Sequence, residues 1–118
     1  MIANFFRAVS WIFISALVIT SVVPANERPV TGLQHDFEHF CAFASAGLIF
    51  GLAYAWPLRT LLLSAIVFSL LLELSQIPLP TRHARLEDFI VDTAAVCLAI
   101  LVAQFIRKLT RDWVTAAP

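Results

Sequence analysis

A chain of 118 residues allows one domain, and its composition narrows the class at once. Its residues are 60% hydrophobic and only 14% charged, with a mean hydropathy of +0.86, whereas soluble domains are about 45–50% apolar and about 25% charged. The formal net charge is +0 and there is no basic run, which excludes a nucleic-acid-binding surface and leaves an integral membrane protein.

A bilayer-spanning helix needs about 20 mostly apolar residues. Nothing charged stands between Arg7 and Glu27, or between His39 and Arg59. Two further apolar stretches, Thr60 to Leu72 and Thr93 to Ile106, are 13 and 14 residues long. They reach spanning length only by taking Glu73 and Asp92 into the membrane. The chain therefore reads as an all-α, integral membrane four-helix bundle, one domain over residues 1–118, with helices at about 5–24, 38–56, 58–77 and 86–106. Pro24, Pro29, Pro78 and Pro80 break the helices in the connections. "VPA" at Val23 to Ala25 looks like a signal-peptidase site, but the preceding apolar stretch is long for a signal peptide, and the reading keeps it as a first helix. Gly47 and Gly51 form GxxxG, a close-packing signal of low specificity. Cys41 and Cys97 fall in apolar stretches and read as buried packing thiols rather than a disulfide.

Orientation follows from lysine and arginine. With the N-terminus inside, Arg7, Arg59, Arg107, Lys108 and Arg111 face the cytoplasm, while Arg28, Arg82 and Arg85 face outward. Trp11, Trp56 and Trp113 then sit toward the inner interface. The expected location is the bacterial inner (cytoplasmic) membrane, multi-pass, with both termini cytoplasmic.

In a four-helix hairpin the start of the second helix, the end of the third and the start of the fourth share one side. Those ends carry Glu38 and His39, Glu73 and Gln76, and Asp88 and Asp92; the last loop adds Arg82, His83 and Arg85. Asp36 and Glu87 are explained by the helix dipole alone. Arg107 and Lys108 are ordinary partners for a helix end. Glu73 is not explained so, because it lies near a helix C-terminus, and Asp92 lies beyond the first turn. An intramembrane charge costs at least about 2.5 kcal/mol, so such residues are functional by default; the bland alternative is a polar staple between helices. Arg82 and Arg85 can supply countercharge and still present donors to a phosphate or carboxylate.

"HDFEH", residues 35–39, fits the H-x-x-E-H zinc pattern. A zinc hydrolase needs a third ligand, none follows at a recognisable spacing, and Glu38 points about 100° away from His39 on a helix. No metal and no cofactor are therefore expected.

Together, "HDFEHFCAFASAGLIFG" and "LLELSQIPLPTRHARLEDFIVDTAAVCLA" resemble the VanZ-like family of small bacterial membrane proteins over roughly residues 35–100. The matching residues are Glu38 and His39, E-x-x-Q at Glu73 and Gln76, Arg82 in the loop, then Asp88 and Asp92. The family often has lysine after an aspartate where this chain has His35-Asp36, asparagine at the position of Asp92, and glycine where Ala95 stands. The first departure puts a role for His35 in doubt; the second makes this site more acidic. The resemblance implies a link to the cell envelope or to lipoglycopeptide tolerance, and supplies no reaction.

The expected function is a polar cluster of Glu38, His39, Glu73, Gln76, Arg82, Arg85, Asp88 and Asp92 at the outer leaflet. It would bind an anionic amphiphile, such as a lipid-linked envelope precursor or a lipoglycopeptide. An enzyme using Glu73 or His39 as acid or base, a small proton-coupled transporter and a purely structural bundle are the alternatives. The chain lacks a nucleophile motif, which weighs against the enzyme, and a second charged set at the inner half, which weighs against transport. The oligomeric state is not legible.

Overall fold

The computed structural model describes residues 2–27, 30–81 and 83–116, all of it helix and connections. Four α-helices follow in chain order: α1, Ile2–Val22; α2, His35–Ala53; α3, Leu58–Ser75; and α4, Leu86–Ala116. A single 3-10 turn, Ala25–Glu27, sits after α1. α2 begins three residues earlier than the sequence suggested, with His35 inside it, and α4 continues for ten residues past 106. The chain folds into a rod measuring 60 × 24 × 22 Å.

Three helices are long and apolar enough to cross a membrane: Asn4–Val22, Leu58–Ser75 and Leu86–Arg111. α2 has 19 residues, about 28 Å at 1.5 Å per residue. Its opening run of His35, Asp36, Glu38 and His39 lowers its hydropathy. The burial pattern is that of a membrane protein. Large apolar side chains such as Phe5, Ile12, Leu63, Leu71, Ile90, Val102 and Phe105 point outward. The interior holds Ala46, Ala65, Ala95, Ala99 and Ala103 beside Leu17, Phe43, Leu61, Leu72, Val96 and Ile100, together with Ser10, Ser69 and four acidic or amide residues. Lipid tails are as apolar as leucine, so burying leucine gains little there, and small residues at the contacts let backbones approach.

Such an approach joins α2 to α4, the most extensive helix pair in the bundle. With α3 between them in the chain, α2 and α4 run parallel. A Cβ at Gly47 would lie 2.6 Å from the carbonyl oxygen of Val96, and one at Gly51 would lie 2.7 Å from the Cβ of Ala103. The GxxxG pair is thus the contact surface of α2 on α4. Cys97 is half-buried, whereas Cys41 is exposed; both thiols are free. Cys41 therefore points away from the packed interior, contrary to the expectation that it is buried.

The end of the bundle opposite the α2 N-terminus is closed by aromatic and cationic groups. The Trp11 indole N–H donates to the Tyr54 hydroxyl at 2.8 Å, and the Arg7 guanidinium lies 5.5 Å from the Tyr54 ring centre. Phe50 and Trp56 pack edge on face, and Tyr54 lies tilted against both. The last carbonyls of α2 accept from α4: Gln104 Nε2 donates to Gly51 O at 3.1 Å and Arg107 Nη1 to Leu52 O at 3.3 Å. Arg107 therefore serves the C-terminus of a neighbouring helix rather than that of its own.

Candidate functional site

The polar end is built on the parallel pairing of α2 and α4. His35 and His39 are one turn apart on α2, and Asp88 and Asp92 are one turn apart on α4. Parallel helices keep a constant offset, here 53 residues, so the two pairs meet rung by rung. His35 Nε2 lies 3.4 Å from Asp88 Oδ2. His39 Nδ1 lies 3.0 Å from Asp92 Oδ1 and 3.2 Å from its Oδ2. The two imidazole rings are 4.3 Å apart, and the His39 ring stacks on Phe43 one turn further in. The upper rung is wet, with the His35 side chain 39% exposed; the lower is dry, with His39 at 15% and Asp92 at 6%.

Glu73 closes the third side from the last turns of α3. It is buried, and its carboxylate accepts the main-chain N–H of Arg85, just before α4 begins. Asp88 and Asp92 are near enough to repel its charge, and His39 near enough to attract it. Three carboxylates and two imidazoles thus share one nest, at the depth where hydrocarbon gives way to headgroups if the helices span a bilayer. It is the Arg85 backbone, not its side chain, that meets Glu73. The Arg85 guanidinium turns outward to Glu87, at 2.5 Å, because Glu87 is only two residues away and both are solvent-exposed.

Gln76 is buried at the C-cap of α3, one turn beyond Glu73. Glu38 accepts the Thr31 hydroxyl and ties the preceding loop to α2. Arg82, like Arg28, lies outside the described residues, as do the side chains of Asp112 and Trp113. His83 is exposed.

His35 is the residue that sequence reasoning undervalued. Half of the signal was present: His-x-x-x-His in one helix and Asp-x-x-x-Asp in another running the same way give two matched rungs once the helices are known to be direct neighbours. For a metal, His35, Asp36 and Asp88 each offer a ligand atom, all within 4.8 Å of one another. His39 faces Asp92 instead, so the two histidines of "HDFEH" do not converge on one point as the zinc pattern requires.

A family model described as VanZ/LLP1 matches residues 2–107. No curated protein and no solved structure matches the chain.

Proposed function

The chain belongs to the VanZ/LLP1 family, and from that membership and its polar end we propose a four-pass protein of the bacterial inner membrane that binds the headgroup of an anionic envelope amphiphile. Both termini are cytoplasmic in this reading, and the nest faces the outer leaflet. The orientation rests on the five-to-three excess of lysine and arginine at the opposite end. The observation that carries the binding role is the clustering of the buried Glu73, Asp88 and Asp92 with two less buried histidines at one end of an otherwise apolar bundle.

The chemistry divides by depth. Carboxylates and imidazoles inside the nest accept hydrogen bonds from the hydroxyl or amine groups of a headgroup. Arg85 stands at the rim. Its pairing with Glu87 is exposed on both sides, so it contributes little and yields readily to a ligand's phosphate or carboxylate. Arg82, three residues earlier, would supply a second cation. A headgroup with an anionic rim group and donors deeper in matches a lipid-linked precursor or a lipoglycopeptide. The sequence carries no recognisable nucleophile motif, and on that ground binding is ranked above catalysis.

Native mass spectrometry of the detergent-purified chain tests this. The wild type is expected to retain a bound amphiphile. Glu73→Gln keeps the shape and an acceptor for the Arg85 N–H but loses the charge, so it should fold and lose the ligand. Asp92→Asn still accepts from His39 and should retain it. Full retention by Glu73→Gln removes Glu73 from the site; equal loss of folded protein in both variants makes the nest a helix staple.

A further inference from the structure

Below the nest, a cleft of about 340 Å³ runs between α1 and α3. Trp11, Ile14 and Leu17 form one wall, and Leu61, Ser64, Ala65 and Phe68 the other. α2 and α4 form the floor through Phe43, Gly47, Phe50, Val96 and Ile100. α1 packs mainly on α2 and α3 mainly on α4, which leaves the two outer helices apart. Small residues, Ala46, Gly47, Ser64 and Ala65, keep the space open.

The cleft and the nest adjoin. His39, bonded to Asp92, stacks on Phe43, a cleft wall. Asp92 is one helical turn from Val96, also in the cleft. The floor of the nest is thus the ceiling of the cleft. Ser69 lies one turn from Glu73 on α3, and Thr93 follows Asp92. The hydroxyls of both are buried and have no hydrogen-bond partner among the described residues. At the other end Trp11 and Trp56 bound the cleft.

We propose that this cleft holds one hydrocarbon chain of the amphiphile whose headgroup the nest engages. The inference rests on the preceding reading and specifies its ligand: a lipid held at both its polar and its apolar end. Three arguments select this occupant. The walls belong to helices of membrane-spanning length, so the medium at that depth is hydrocarbon. Apolar cavities stay dry and accept apolar guests. The volume is at the low end of ligand sites, roughly 300–1,000 Å³, which suits one chain segment rather than two. The cleft extends over Phe43 to Phe50 on α2, about 10 Å at 1.5 Å per residue. The linkage between headgroup and chain then falls at the level of Ser69 and Thr93.

The test uses the full chain in vesicles of phosphatidylethanolamine and phosphatidylglycerol, with a phosphatidylglycerol that carries a diazirine in one acyl chain. After irradiation, adducts are mapped by mass spectrometry. They should concentrate on Phe43 and Phe68 over the outward-facing Leu70 and Ile90. Ser64→Trp and Ile14→Trp, which fill the cleft from opposite walls, should each reduce the cleft adducts about tenfold, a loss of about 1.4 kcal/mol of binding. Adducts on Leu70 and Ile90, and helicity, should not change. Even labelling of cleft and outer residues overturns the proposal, as does cleft labelling that persists in both variants. The two readings fail separately. Even labelling with a co-purified lipid lost in Glu73→Gln sinks the chain slot and spares the headgroup site. Cleft labelling lost in Ser64→Trp yet indifferent to Glu73→Gln keeps the chain slot and sinks the headgroup reading.

Discussion

Gly47→Ala adds one methyl group at the closest approach of α2 to α4. The new Cβ would sit 2.6 Å from Val96 O, 3.0 Å from Val96 Cγ2 and 3.1 Å from Val96 Cα. Ordinary contact begins at 3.4 Å, so the helices must separate by up to 0.8 Å at this point. The nearest atom is backbone, which cannot rotate away as a side chain would. Overpacking of this kind costs about 1–3 kcal/mol. Alanine recovers up to about 1 kcal/mol through helix propensity when the unfolded chain is non-helical. In detergent unfolding the denatured helices persist, so that recovery largely disappears and a cost of about 1–3 kcal/mol remains. Titration of the purified protein in mixed micelles with sodium dodecyl sulfate, followed by tryptophan fluorescence, reads the difference. Val96→Ala in the Gly47→Ala background removes Cγ2 but leaves the carbonyl oxygen, so it should give little rescue. An unfolding midpoint for Gly47→Ala equal to or above that of wild type would refute close packing at Val96.

Three further outcomes are expected. In a double-mutant cycle, His39→Ala with Asp92→Ala should show coupling of about 1–3 kcal/mol, because both side chains are mostly buried; the His35–Asp88 pair, more exposed and 0.4 Å longer, should couple less, and the reverse order would contradict the buried-rung geometry. Gln104→Leu leaves the Gly51 carbonyl with only the longer Arg107 Nη1 contact, at 3.5 Å, and should destabilise the protein by about 1 kcal/mol in the same detergent titration; an unchanged midpoint would show that Arg107 alone satisfies this helix end. For topology, single cysteines at positions 28 and 82 in a cysteine-free background should react with an impermeant maleimide in intact cells, while a cysteine added at either terminus should not; labelled termini invert the proposed orientation.

Helix number and order were legible because charge spacing marks membrane helices with little dependence on tertiary context. Glu73 and Asp92 stood out for the same reason: no apolar segment of spanning length was available without them. The meeting of α2, α3 and α4 at one end followed from counting hairpins. Which atoms meet did not follow. Arg85 was expected to use its guanidinium on the nest, but the geometry of the α3–α4 connection presents its N–H instead, and a backbone donor leaves no trace in residue type. His35 was read as an outlier because it departs from the family pattern. Its pairing with Asp88 depends on α2 and α4 being direct neighbours, which hydropathy does not encode. GxxxG was too frequent a motif to weigh alone, and only the distance to Val96 gives it meaning. Gln104 was missed as a cap, and Arg107 was assigned to its own helix end, because the carbonyls they serve belong to another helix.

The remaining question is why Glu73 is a glutamate. Two rungs already bind α2 to α4, and they use both aspartates. Glu73 adds a tie from α3 to the start of α4 through a neutral main-chain N–H. That hydrogen bond does not require a charge: a glutamine carbonyl in the same place would accept it, with a far smaller desolvation cost. A staple under selection for stability alone would therefore be an amide. When ionised, the carboxylate instead adds a negative charge beside Asp88 and Asp92 in a poorly hydrated setting, where like charges repel. On the proposed reading, the charge serves a group that enters the nest from outside and carries hydrogen-bond donors. Substitution by the amide thus separates the two accounts, since it should raise or preserve stability while abolishing binding. A Glu73→Gln variant that is less stable than wild type and still retains its lipid would show that the charge serves the bundle and not a ligand.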